Sequence, residues 1–154
     1  MKITEFLSKE CIKIGLKSKS KKDVLEELVD VLVAAGKVTD KKKVMQVLLE
    51  REDLGSTGIG QGVAIPHGKT DDVTNLVAAF GLTKEGCQFD TLDGDPVNIF
   101  FLLLAPYNAS GIHLKSLAKI SGLLKDKYFR KGLVNCASAD EVLTVIAAEE
   151  KLKI

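Results

Sequence analysis

Apolar positions recur at helical spacing early in the chain. Val24, Leu25, Leu28, Leu32 and Ala35 fall on one face, while Glu26, Glu27 and Asp30 fall on the wet side. Ser20 with Asp23 in the first turn supplies a helix start, and Gly36 supplies a stop. A second amphipathic helix is predicted from about residue 40, with Val44, Met45 and Leu48 turned inward. It runs into Glu50-Arg51-Glu52-Asp53 and ends before Gly55, so Arg51 sits near a helix C-terminus, where the dipole favours a cation. Ahead of these helices, alternation at Cys11-Ile12-Lys13-Ile14 predicts a short strand, and the basic stretch 17–22 reads as a solvated loop.

Farther along, the pattern changes. Residues 63–65 and 76–82 read as short strands. Residues 97–104 are almost wholly apolar, as expected of a central strand covered on both faces. The turn signal Asp93-Gly94-Asp95-Pro96 precedes that strand and Pro106 closes it. Ser110 is the predicted N-cap of a third helix, which puts His113 in its first turn and Leu114, Leu117, Ala118 and Leu124 inward. A short helix over 128–134 follows. A last helix starts at the capping box Ser138-Ala139-Asp140-Glu141 and buries Val142, Leu143 and Ile146. The predicted architecture is α/β: a mixed β-sheet flanked by α-helices on both faces, in a single layered domain over 1–154.

Composition narrows the class. A chain of 154 residues, 45% hydrophobic and 28% charged, is expected to be globular with a real core. Its 22 basic and 21 acidic residues leave a net charge of +1, which points to neither nucleic acid nor a membrane surface as partner. The apolar run 99–106 is too short to span a bilayer, and the N-terminal residues lack the apolar core of a signal peptide, so no direct membrane insertion is expected. Cys11, Cys87 and Cys136 are odd in number and show no C-x-x-C spacing. They suit a reducing cytoplasm better than a disulfide framework.

The candidate chemistry lies in Gly55-Ser56-Thr57-Gly58-Ile59-Gly60-Gln61-Gly62-Val63-Ala64-Ile65-Pro66-His67-Gly68-Lys69, which holds five of the 13 glycines and one of the two histidines. A dinucleotide fingerprint needs a strand before its glycines and a helix after them, and here that order is reversed. Gly68-Lys69-Thr70 ends like a phosphate-binding P-loop, but the required first glycine is Val63. A zinc hydrolase needs a third ligand beside His67 and His113, and neither the spacing nor an H-E-x-x-H motif supplies one. A histidine at an exposed turn serves as general base, metal ligand or nucleophile, or is simply bonded into local structure. Around His67, the Arg51 guanidinium, the Ser56 and Thr57 hydroxyls and the amides of Gly58 and Gly60 match a phosphoryl dianion. His113 is either an exposed helix-start residue or a neutral donor to a nearby anion. Ile59 and Ile65 are candidates for an apolar rim, though Ile65 fits the core better.

This run, with Arg51-Glu52 before it and with Phe89-Asp90, Asp93-Gly94, Pro96-Val97 and His113-Leu114-Lys115 after it, resembles the enzyme IIA domains of the bacterial phosphoenolpyruvate-dependent sugar phosphotransferase system. The likeness is to the fructose/mannitol branch, which includes the nitrogen-regulatory IIA proteins, and it extends over essentially the whole chain. The resemblance implies a mixed sheet flanked by helices and a phosphoryl carrier with no metal and no organic cofactor. It implies His67 as the residue phosphorylated on Nε2, Arg51 as an aid at the phosphate and His113 as the second active-site histidine. The implied partners are an HPr-type phosphocarrier protein as donor and either a IIB subunit or a regulatory target protein downstream. Read as a IIA domain standing alone, with neither IIB nor membrane segment expected in it, the chain leans toward the regulatory branch while remaining compatible with sugar uptake.

Overall fold

In the computed structural model, which describes residues 1–153, the first helical stripe forms α1 (Lys21–Ala34), with Val24, Leu25, Leu28 and Leu32 fully buried. Gly36 adopts a φ of +74°, the left-handed conformation that lets the Lys37 N–H return to the Leu32 carbonyl at 2.9 Å. Ser20 occupies the N-cap but makes no side-chain capping bond. Glu27, expected in water, is half-buried and accepts from the amides of Lys17 and Ser18. Asp40 caps α2 (Lys41–Asp53) by accepting from the Lys43 N–H at 3.1 Å.

The sheet is built on two long antiparallel strands, β5 (Val77–Cys87) and β6 (Val97–Ala105), paired from Val77↔Leu104 to Cys87↔Val97. β1 (Ile12–Ile14) runs parallel to β5 on its outer side. The other edge of β6 carries two short parallel strands end to end, β3 (Val63–Ala64) and β4 (His67–Lys69). β2 (Gly58–Gly60) pairs antiparallel with β3 and closes that side. Buried Pro66 lies at the interruption between β3 and β4; it has no N–H for the ladder, but its carbonyl still accepts from the Leu103 N–H at 2.9 Å.

Helices cover both faces, as the apolar run of β6 requires. α1 lies on β5: a Cβ on Gly81 would meet the side chains of Leu16 and Leu28 within 3 Å. α2 lies on β4 in the same way, over Gly68. The opposite face carries α3 (Ser110–Leu123) and α4 (Lys127–Val134), with α5 (Ala139–Leu152) against α4 and the β1 edge. Phe80 and Phe101 meet edge to face at 5.5 Å, and Phe89 and Phe100 at 5.4 Å. Ser138 accepts from the Glu141 N–H at the start of α5. Near its end the buried Glu150 carboxylate accepts from the Ile3 N–H and pairs with Lys119 of α3 at 2.6 Å, which ties the N-terminus and α3 to α5.

α3 sits differently from its predicted orientation. Its N-cap is Ala109, and the Ser110 hydroxyl instead accepts from Lys69 Nζ at 2.8 Å. Its buried stripe is His113, Ser116, Ile120 and Leu123; of the residues expected inward, Leu124 is buried and Leu117 half-buried against the core, while Leu114 and Ala118 are exposed. Two polar residues on the inner face conceal it from a hydrophobic pattern. No helix among the described residues is long and apolar enough to cross a membrane.

Candidate functional site

His67 begins β4 rather than occupying an exposed turn, and it is half-buried. Side chains alternate along a strand, so His67 and Lys69 share one face and Gly68 looks the other way. That opposite face meets α2 at once: a Cβ on Gly68 would lie 2.5 Å from Val47 Cγ1. Only glycine lets the helix come this close, and the approach brings the C-terminal turn of α2 beside His67.

The break at Pro66 frees the Ile65 carbonyl from the ladder, and His67 Nδ1 lies 2.8 Å from that oxygen. A carbonyl can only accept, so Nδ1 carries the proton and the lone pair resides on Nε2. Burial, then the nearby Arg51 charge, hold the His67 pKa below its usual value despite the Ile65 bond, which favours the charged form. The ring is therefore a neutral imidazole at neutral pH.

His113 reaches the same place from α3. The two rings are 5.6 Å apart between centroids and tilted by 54°. Burial, with His67 and Lys69 adding to it, pushes the His113 pKa down to about 4. Its Nδ1 is buried without a hydrogen-bond partner. Arg51 stands in the last turn of α2, donates from Nη1 to the Gly55 carbonyl at 2.8 Å, and lines the same cavity, of about 750 Å³, as both histidines and Lys69. Arg51, His67 and His113 thus come together from α2, β4 and α3.

The other predicted site residues are used differently. The Ser56 hydroxyl donates to the Phe89 carbonyl at 2.8 Å, and the Thr57 hydroxyl donates to Glu52. Gly58 and Gly60 lie in β2, where Thr91 and Asp93 pack against them: built Cβ atoms would approach Thr91 Cγ2 to 2.7 Å and Asp93 Oδ2 to 3.1 Å. Ser56, Thr57, Gly58 and Gly60 are not among the residues lining the His67 cavity. The glycine pattern serves the packing of the loop carrying Asp93-Gly94-Asp95-Pro96. Ile65 is buried in the core, the better of its two expected places, but Ile59 is not part of the cavity wall, and the rim is made by Leu54, 85% exposed, and Leu114, 69% exposed.

Sequence reasoning passed over Lys69, Gly68 and Glu52. The first two become visible once 67–69 is seen as a strand, because positions i and i+2 then share a face. Glu52, at the end of an amphipathic helix, looks like a solvated residue yet is buried. No three His, Cys, Asp or Glu side chains among the described residues gather in a metal-binding group, so the histidine pair has no third ligand beside it.

The family model described as "Phosphoenolpyruvate-dependent sugar phosphotransferase system, EIIA 2" matches residues 5–149. The chain belongs to this family. Membership brings with it a part in phosphoryl transfer within that system. Among relatives, the "PTS system fructose-specific EIIABC component" of Bacillus subtilis (strain 168) is 42% identical over 151 residues, 98% of this chain but 24% of the relative; the chain therefore spans about a quarter of that protein. The crystal structure of the nitrogen regulatory protein IIA-Ntr from Neisseria meningitidis is 40% identical, with a TM-score of 0.87 over 94% of this chain and 98% of that one. The IIA chain in the solution structure of a complex of enzyme IIAMTL with phosphorylated enzyme IIBMTL from Escherichia coli is 27% identical, with a TM-score of 0.77 over 92% of this chain and 96% of that one. This IIA domain is thus similar to sugar-specific and nitrogen-regulatory members alike.

Proposed function

We propose that this IIA domain is a phosphohistidine carrier in which His67 Nε2 accepts a phosphoryl group from an HPr-type phosphocarrier protein and passes it to a IIB subunit. The observation that carries this reading is the 2.8 Å bond from His67 Nδ1–H to the Ile65 carbonyl, which leaves the Nε2 lone pair as the nucleophile. The donor's N–P bond breaks as the new bond to Nε2 forms, so no proton leaves His67 during the attack. Phosphoryl transfer depends on in-line positioning and charge stabilisation. Arg51 supplies a planar cation for the equatorial oxygens. His113 stays neutral, and an orphan lone pair on its buried Nδ1 costs less than an orphan N–H, so its proton belongs on Nε2, ready to donate to the phosphoryl group. The Leu54 and Leu114 rim suits brief docking by partner proteins.

Labelling from phosphoenolpyruvate through enzyme I and HPr tests the assignment. His67→Ala is expected to abolish incorporation, and undiminished incorporation would falsify it. A regulatory reading, in which the phosphorylation state of His67 controls binding to target proteins, draws support from the likeness to the Neisseria IIA-Ntr structure. A screen of the cell's IIB proteins as acceptors separates the two: efficient transfer to one of them favours sugar uptake, and transfer to none favours regulation.

A further inference from the structure

Glu52 is the one acidic side chain of the last turn of α2 that turns inward, with its carboxylate side chain 3% exposed. Burying a carboxylate is costly, and both hydrogen bonds that offset the cost here come from Thr57, in the loop leading to His67. Oε1 accepts from the Thr57 N–H at 3.0 Å and lies 3.2 Å from Lys21 Nζ, and Oε2 accepts from the Thr57 hydroxyl. Two donors of one residue meeting both oxygens of one carboxylate fix the orientation of Thr57 as well as its position. The Thr57 carbonyl accepts from the Ile65 N–H at 3.0 Å, and the Ile65 carbonyl accepts from His67 Nδ1–H at 2.8 Å. A continuous set of bonds therefore runs from a rigid helix to the imidazole.

We propose that Glu52 is a positioning residue of this site: acting through Thr57 and the Ile65 backbone, it holds the His67 ring in the Nδ1–H tautomer with Nε2 turned to the cavity. Arg51 and Glu52 are neighbours on one helical turn, so a single element sets both the cation and, by way of the loop, the nucleophile. The catalytic meaning of this placement rests on the reading of His67 as the phosphoryl acceptor. The placement itself exists without phosphate and is measurable without it.

The test uses the full unphosphorylated chain and the imidazole ¹⁵N shifts of His67. Wild type is expected to give one protonated and one bare nitrogen. Glu52→Gln, which keeps the shape but loses the charge pairing with Lys21, and Thr57→Val, which removes only the hydroxyl, are expected to draw the two shifts together as tautomers mix. Thr57→Ser restores the wild-type pattern. In the same variants, phosphoryl acceptance slows roughly tenfold to a hundredfold in kcat with little change in KM, as when a group that orients a reacting side chain is lost. Wild-type shifts in folded Glu52→Gln and Thr57→Val, even with lowered melting temperatures, overturn the proposal and leave Glu52 a stabilising residue only. Where Glu52→Gln does not fold, Thr57→Val decides alone. Because the shifts need no phosphoryl donor, they separate failure of this proposal from failure of the carrier reading, which would appear as wild-type protein that takes up no label.

Discussion

Replacing Gly68 by alanine puts a methyl group 2.5 Å from Val47 Cγ1, nearly 1 Å inside ordinary van der Waals contact. Val47 cannot easily yield. Its β-branched side chain is held to one rotamer in a helix, and α2 is anchored at both ends by Asp40 and by the Glu52–Thr57 bonds. β4 cannot easily yield either, since His67, Gly68 and Lys69 are in register with Leu103, Leu104 and Ala105 of the central strand. Overpacking of this kind costs about 1–3 kcal/mol, or about 2–4 °C of melting temperature per kcal/mol for a domain of this size. Urea unfolding of Gly68→Ala, Val47→Ala and the double variant gives the cycle that isolates the contact. Val47→Ala alone is expected to lose roughly 1 kcal/mol of burial, whereas in the Gly68→Ala background it is expected to restore stability, with a coupling of roughly 1–2 kcal/mol. Phosphoryl acceptance should follow the same rescue, because separating β4 from α2 separates His67 from Arg51. Stability of Gly68→Ala within 0.5 kcal/mol of wild type, or additive effects in the double variant, refutes the claim that this close approach sets the site's geometry.

His113 and Arg51 flank His67 from α3 and α2. His113 has the ordinary histidine pKa of about 6.5 when unfolded and is held down to about 4 when folded, so below pH 6.5 the unfolded chain binds a proton the native one does not. Its contribution to stability is whole above that pH and falls as pH drops toward 4; between pH 7 and pH 5 the loss is roughly 1–2 kcal/mol after allowance for solvent at the cavity mouth. Urea midpoints across this range should show a shallower decline for His113→Gln, the remaining slope including His67, whose pKa is lowered in the same direction; equal slopes would contradict the burial argument. Arg51→Lys keeps the charge but not the planar fork that can serve the Gly55 carbonyl and, in the proposed carrier role, a phosphoryl group together, so transfer should slow by about 10- to 100-fold, as judged by quench-flow labelling. Wild-type rates in that variant would remove Arg51 from the chemistry.

Much of this fold can be read one residue at a time, because its signals extend no farther than four neighbours. Val24, Leu25, Leu28 and Leu32 mark α1, Gly36 ends it, Asp40 opens α2 and Ser138 opens α5 without reference to any distant residue. The apolar length of 97–104 already demands cover on both sides. His67 is likewise conspicuous by type within the Gly55–Lys69 run, as is Arg51 just ahead of it. The rest depends on pairing across the chain. β4 is three residues long and contains a glycine, too little for any periodic pattern; it is a strand only because Leu103, Leu104 and Ala105 lie beside it. The buried face of α3 holds His113 and Ser116, so its direction follows from what it packs on rather than from its own hydrophobicity. Glu52 is buried because Thr57 and Lys21 come to meet it, and the hydroxyls and glycines of the loop are spent on Glu52, Phe89, Thr91 and Asp93. Local sequence sets what each segment prefers to be, whereas long-range hydrogen bonds and close packing decide which side chains are left free to do chemistry.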